Sequence, residues 1–123
     1  MREMLNCKIH GGYVTKSDLD YEGSCGLGPD LLKASGILPF EKISVLNVSN
    51  GKRVQTYVIK EKEDRAITLN GAAAHYFKKD DKVIILCYKL EDEHCIKDHK
   101  ARIIILDSDN SIKENSLRGF DYE

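Results

Sequence analysis

The sequence lacks the features that mark several large function classes. No apolar run approaches the roughly 18 residues of a membrane-spanning helix, and the N-terminus has no apolar signal core. An excess of charge is missing too: 19 basic and 20 acidic residues are interspersed over 123 positions, a formal net charge of -1. That leaves no electrostatic basis for a nucleic-acid partner. The four cysteines, at 7, 25, 87 and 95, form no CxxC pair and no dense framework, so reduced thiols in the cytoplasm are expected. The spacings Cys7–His10 and His94-Cys95–His99 match no standard zinc ligand set, and no metal is expected. Asn47-Val48-Ser49 is a formal glycosylation sequon without meaning in the absence of a secretory signal.

What is present is one small domain. A core of this size gains from further burial between subunits. Residues 1–16 alternate apolar and polar positions with a break at Gly11-Gly12, which predicts two short strands. Lys8 and His10, two apart, share a strand face. Pro29–Ser35, closed by Gly36, has proline in the first turn and a glycine stop and reads as a short helix. Asn50-Gly51 between Lys42–Ser49 and Lys52–Lys60 predicts a two-residue hairpin, with Val48 opposite Arg53, Leu46 opposite Gln55 and Ser44 opposite Tyr57. Arg53, Gln55 and Tyr57 then share one face, and Val54, Thr56 and Val58 the other. Residues 66–69 form another short strand. Residues 82–90 (KVIILCYKL) and 102–106 (RIIIL) read as strands buried on both faces. From Asp107 onward the chain is polar and is expected to be a mobile tail. Many short strands with one helix make a mainly β protein, a small closed barrel.

Three strings stand out in order: YEGSC at 21–25, NGKR at 50–53 followed by Thr56-Tyr57, and NGAAAH at 70–75. With Lys8, His10 and residues 14–19, they resemble the pyruvoyl-dependent aspartate decarboxylases over roughly residues 1–90. The resemblance implies a six-stranded double-psi β-barrel with one or two short helices, assembled as a homotetramer with sites at subunit interfaces. It also implies self-cleavage at Gly23-Ser24 into residues 1–23 and 24–123, with Thr56 as oxyanion donor and Asn70 as helper. Ser24 would become a pyruvoyl group, so neither pyridoxal phosphate nor a metal is needed; the need for a maturation partner stays open.

The implied reaction takes L-aspartate to β-alanine and carbon dioxide for pantothenate and coenzyme A synthesis. Losing a carboxylate leaves an electron pair on Cα that no ordinary side chain accepts; a Schiff base to the ketone would accept it. The resemblance makes Tyr57 the proton donor to Cα, Arg53 the anchor of the second carboxylate with Lys8 adding charge, and Thr56, Gly71, Ala72 and Ala73 further substrate contacts. His10 and Tyr21 are additional pocket residues. Leu46 stands where the family has tryptophan, making the pocket wall less aromatic. Thr56 and Tyr57, being adjacent, face opposite sides of a regular strand unless a bulge intervenes or they act at different stages. Two other readings use the same residues: a β-barrel that binds an anion through Arg53 and Lys8 without cleaving itself, and a thiol enzyme using Cys25 with His10 or His75.

Overall fold

The computed structural model describes residues 1–22 and 24–121; Gly23, half of the expected cleavage junction, lies outside them. Strand β1 (Arg2–Tyr13) alternates buried Cys7 and Ile9 with half-buried Lys8 and His10. Gly11-Gly12 does not interrupt it. Gly11 takes φ 86°, and the register against the antiparallel neighbour slips between His10 and Gly12. The glycine pair therefore makes a β-bulge within one long strand, where two short ones were expected. A Cβ on Gly12 would lie 2.5 Å from Ile67 Cδ1, so packing demands the missing side chain.

The chain continues through β2 (Lys16–Asp18), β3 (Cys25–Leu27), helix α1 (Pro29–Ser35), β4 (Lys42–Asn47), β5 (Arg53–Lys60) and β6 (Ile67–Asn70). Then follow β7 (Lys82–Glu91), β8 (Ala101–Leu106) and β9 (Ile112–Arg118), with 3-10 turns at Gly71–His75 and Ile96–Asp98. Among the described residues the sheet has nine strands in the order β2-β6-β3-β5-β4-β7-β1-β8-β9. β2 follows β1 directly in the chain yet lies at the far end of that order, so the sheet must curl round on itself. Val14 and Thr15 carry the pairing across the join: Val14 N–H donates to Asp81 O at 2.9 Å, and Thr15 N–H to Ile67 O at 2.7 Å. The pairs β1–β8, β2–β6 and β3–β5 are parallel, which requires crossing connections. The result is a small β-barrel whose core includes Ile9, Leu27, Ile67, Leu69, Phe77 and Ile85, all fully buried. Each such side chain contributes about 1.5–3 kcal/mol relative to exposure.

Helix α1 forms where its end signals place it. Proline opens it, and Gly36 at φ 76° closes it by donating its N–H to Leu32 O at 2.9 Å. The hairpin register differs from the expected one by two residues: Leu46 opposes Arg53, Ser44 opposes Gln55 and Lys42 opposes Tyr57. Buried Asn47 is the cause. Its Oδ1 accepts from Ser49 N–H at 2.9 Å, and its Nδ2 donates to Tyr76 O at 2.9 Å and Asp81 Oδ2 at 2.8 Å. The turn therefore opens at Asn47. Gly51 has φ 75° and Asn50 has no positive φ, whereas a two-residue type I′ turn needs both. A shift of two preserves which residues share a face.

β7 and β8 are buried on one face only. Val83, Ile85, Cys87, Ile104 and Leu106 point into the core, while Ile84, Leu86, Ile103 and Ile105 are half-buried on the outside. A single-layer barrel leaves that face uncovered within one chain. The polar stretch after Leu106, read from sequence as a tail, holds a turn and strand β9 paired antiparallel to β8. Buried Asn110 fastens the turn: it accepts from Tyr13 N–H at 2.8 Å and donates to Tyr13 O and Arg65 O, each at 2.9 Å.

Candidate active site

The chemistry proposed for Ser24 depends on its hydroxyl, and the fold removes that hydroxyl from water. β3 is a short central strand, with Cys25 paired to Val58 of β5 in parallel and to Leu69 of β6 in antiparallel. Ser24, at its head, is 2% exposed, and among the described residues its Oγ has no hydrogen-bond partner. Its carbonyl accepts the N–H of Asn70 at 2.8 Å. Asn70, itself buried, donates through Nδ2 to Thr68 Oγ1 at 3.4 Å, and Thr68 Oγ1 donates to Glu61 Oε1 at 3.2 Å. Lys16, Tyr21, Glu61, Thr68 and Asn70 line a cavity of about 70 Å³. Glu61 and Thr68 carry no motif; the pairing of β3 with β6 sets Thr68 opposite Gly26, two residues from Ser24.

β6 ends at Asn70, and Gly71 turns the chain with φ 61° into the 3-10 segment, a backbone angle that favours glycine. Ala72 is exposed, and Ala73 packs against the core. This main chain of small residues therefore follows directly from the residue that holds Ser24.

The other expected residues lie on the outer face of the sheet. His10, Ile84, Leu46 and Arg53 occupy one row across β1, β7, β4 and β5; Lys8, Leu86, Ser44 and Gln55 occupy the next. With strands about 4.8 Å apart, His10 and Arg53 stand roughly 14 Å apart across the row. His10 titrates below its ordinary range because of desolvation, then the positive charges of Lys8 and Lys82, and its Nδ1 is buried without a partner among the described residues. Tyr57 shares this face, with its ring 6.3 Å from that of Phe40.

β5 runs without a register shift against β4, so no bulge brings Thr56 and Tyr57 to one side. Thr56 is half-buried and Tyr57 exposed. The β3–β5 ladder begins at the Cys25–Val58 pair, next in sequence to Ser24 and Tyr57. Arg53 is four residues, or about 13 Å, further along the strand. One chain thus brings together Ser24, Asn70, Gly71 and Tyr21, with Tyr57 alongside, and leaves Lys8, His10 and Arg53 apart from them.

Cys25 does not suit a nucleophile: fully buried, its thiol is pushed up to about 12 by desolvation and then by the Glu61 charge. Among the described residues, no group of three or more His, Cys, Asp or Glu is placed to hold a metal. His99 has both ring nitrogens engaged, Nδ1 with Glu91 at 3.0 Å and Nε2 with Leu5 O at 2.8 Å. Among the same residues no helix is long and apolar enough to cross a membrane.

A sequence model of the aspartate decarboxylase family matches residues 1–113. Aspartate 1-decarboxylase of Alkalilimnicola ehrlichii is 46% identical over 110 residues, covering 89% of this chain and 87% of that protein. Aspartate 1-decarboxylase of Thioalkalivibrio sulfidiphilus is 48% identical over 111 residues, with the same coverage. The enzyme of that name from Ralstonia nicotianae is 46% identical over 114 residues, 92% of this chain and 95% of its own. A family model matching residues 1–113 and identities of 46–48% over about nine-tenths of the chain make this chain a member of the aspartate decarboxylase family.

Proposed function

We propose that this protein decarboxylates L-aspartate to β-alanine in the cytoplasm, for pantothenate and coenzyme A synthesis, with a pyruvoyl group made from Ser24. The observation that carries this reading is the Ser24 hydroxyl, buried and without a partner among the described residues, in a member of that family. A buried hydroxyl without a partner loses its hydrogen bonds to water and gains none, a cost that fits a group held for chemistry.

In self-cleavage, Ser24 Oγ attacks the carbonyl carbon of Gly23; the new C–O bond forms, the C–N bond breaks, and the proton of the hydroxyl passes to the Ser24 nitrogen. Loss of the Ser24 α-proton then expels the Gly23 carboxylate and leaves a carbon–carbon double bond. Water replaces the nitrogen, which departs as ammonia, and the ketone remains. The Asn70 N–H holds the Ser24 carbonyl, which keeps Asn70 next to the junction whose oxyanion develops on Gly23. Thr56, on the opposite side of β5 from Tyr57, serves a different part of the site.

The pyruvoyl ketone supplies the electron sink required when carbon dioxide leaves Cα. The Arg53 guanidinium holds the side-chain carboxylate of aspartate in bidentate fashion, and Lys8 adds charge. The Tyr57 phenol delivers a proton to Cα. The main chain at Gly71-Ala72-Ala73 bounds the small substrate. Arg53 and Lys8 reach the Ser24 region from a second copy of the chain. The half-buried apolar rows around Leu46, Ile84 and Leu86 support such an outer-face contact, in a homotetramer with sites between subunits.

Intact-mass measurement of purified protein tests the reading. Two fragments are expected, residues 1–23 and 24–123, the larger carrying a carbonyl in place of the serine. A single full-length species that stays whole after prolonged warming refutes it.

A further inference from the structure

We propose that Glu61 is a positioning residue for Asn70, acting through Thr68, in the cleavage at Ser24; this rests on the self-cleavage reading above. A carboxylate only accepts hydrogen bonds, and a hydroxyl has one proton to donate. The Thr68 hydroxyl donates that proton to Glu61 at 3.2 Å. Toward Asn70 it can then only accept, and Asn70 turns Nδ2 to it at 3.4 Å. Reversing the carboxamide would set Oδ1 against a threonine oxygen with no proton left to give. Glu61 thereby fixes which end of the Asn70 side chain faces Thr68, at the residue whose N–H holds the Ser24 carbonyl.

Three independent features keep this chain of bonds in place. Glu61 is anchored at its own backbone, donating N–H to Leu27 O at 2.9 Å. Thr68 and Asn70 are 5% and 4% exposed, so water does not substitute freely for either partner. Gly26 leaves room for the contact. A Cβ there would collide with Thr68 Oγ1 and with the Glu61 side chain, so β3 is bare at the one point where a side chain would separate them. Lys16 and Tyr21 complete the surrounding cavity.

The test uses full-length protein purified cold before cleavage, with loss of the intact species followed by mass on warming. Thr68→Val and Glu61→Ala should each slow cleavage on the order of 10-fold, less than the hundredfold or more that follows outright removal of an oxyanion donor. The double variant should be no slower than Thr68→Val alone, because the two residues act in series. Thr68→Ser, which keeps the hydroxyl, and Glu61→Gln, which keeps an acceptor, should restore most of the rate. Wild-type rates in Thr68→Val and Glu61→Ala overturn the inference. So does a slowing that only follows a lowered Tm and that Thr68→Ser does not relieve. Where Thr68→Val fails to fold, the half-exposed Glu61 position decides, with Glu61→Gln against Glu61→Ala. A wild type that never cleaves sinks the self-cleavage reading and this inference together; a wild type that cleaves beside equally fast variants sinks this inference alone.

Discussion

Replacing Asn110 with glycine should destabilise the protein by about 3 kcal/mol, although the residue lies in a polar stretch far from Ser24 in sequence. The side chain is 2% exposed and makes three hydrogen bonds to main chain: Tyr13 N–H, Tyr13 O and Arg65 O, at 2.8 to 2.9 Å. It substitutes for a strand partner where β1 ends. Each bond is worth about 1 kcal/mol net, and buried partners left unpaired cost at least as much, which sets the total. Glycine is the informative replacement because Asn110 has φ 65°; alanine should cost roughly 1 kcal/mol more from left-handed strain. Urea unfolding at one fixed protein concentration, needed because association shifts apparent stability, should show a midpoint lower by about 1–2 M at unchanged slope. A loss below about 1 kcal/mol in Asn110→Gly, or an alanine variant as stable as the glycine one, would refute the accounting.

Arg53→Ala should raise KM for aspartate by about 100-fold, the equivalent of a lost bidentate carboxylate pair of nearly 3 kcal/mol, while self-cleavage proceeds unchanged; steady-state kinetics on cleaved protein decides. Glu91 should contribute a pH-dependent part of stability. Hydrogen bonds from His99 and then Lys89 hold its carboxyl below the ordinary value of 4.5, so its contribution is complete above that value and is lost as pH falls through the lower folded one. Urea midpoints in Glu91→Gln should therefore decline less steeply toward acid than in wild type. Iodoacetamide at about pH 7.5 should add a single adduct per folded chain, at exposed Cys95. Burial raises Cys7 to about 11 and Cys25 and Cys87 to about 12; peptide mapping that finds Cys25 modified in native protein would contradict this.

The parts of the fold legible in sequence are those decided by near neighbours. Pro29 and Gly36 bound α1 through their own backbone preferences, and the two-residue period shows the mainly β class. What escaped was decided at long range. Gly11-Gly12 is a breaker or a bulge according to what packs on it, and the answer is Ile67, fifty-five residues from Gly12. Asn50-Gly51 carries a strong local signal, but Asn47, bonded to Tyr76 and Asp81, opens the turn earlier. The stretch after Leu106 is polar by composition, yet one asparagine satisfying three main-chain groups is enough to fasten it. At the site, the strings marked Ser24 and Asn70; the Glu61–Thr68 contact carries no motif and depends on β3 and β6 lying side by side.

Strand geometry also separates two activities that the strings merge. Ser24 and Asn70 meet within one chain, whereas Arg53 lies about 13 Å along β5 from the position beside Ser24, beyond what one aspartate spans. Under the proposed chemistry, cleavage would draw on one chain and turnover on two. On the proposed roles, Ser24→Ala protein would lack the ketone and Arg53→Ala protein the anchor, so each alone should be nearly inactive at aspartate concentrations below the wild-type KM. Subunits exchanged at equal ratio place a cleaved Arg53→Ala chain against the Arg53 of a Ser24→Ala neighbour at about one quarter of the sites of a random symmetric assembly. Activity should recover toward that fraction only after exchange, with the Ser24→Ala chains still whole by mass. Mixed assemblies, verified by mass, that stay at the level of the separate variants would show instead that Arg53 serves the Ser24 of its own chain.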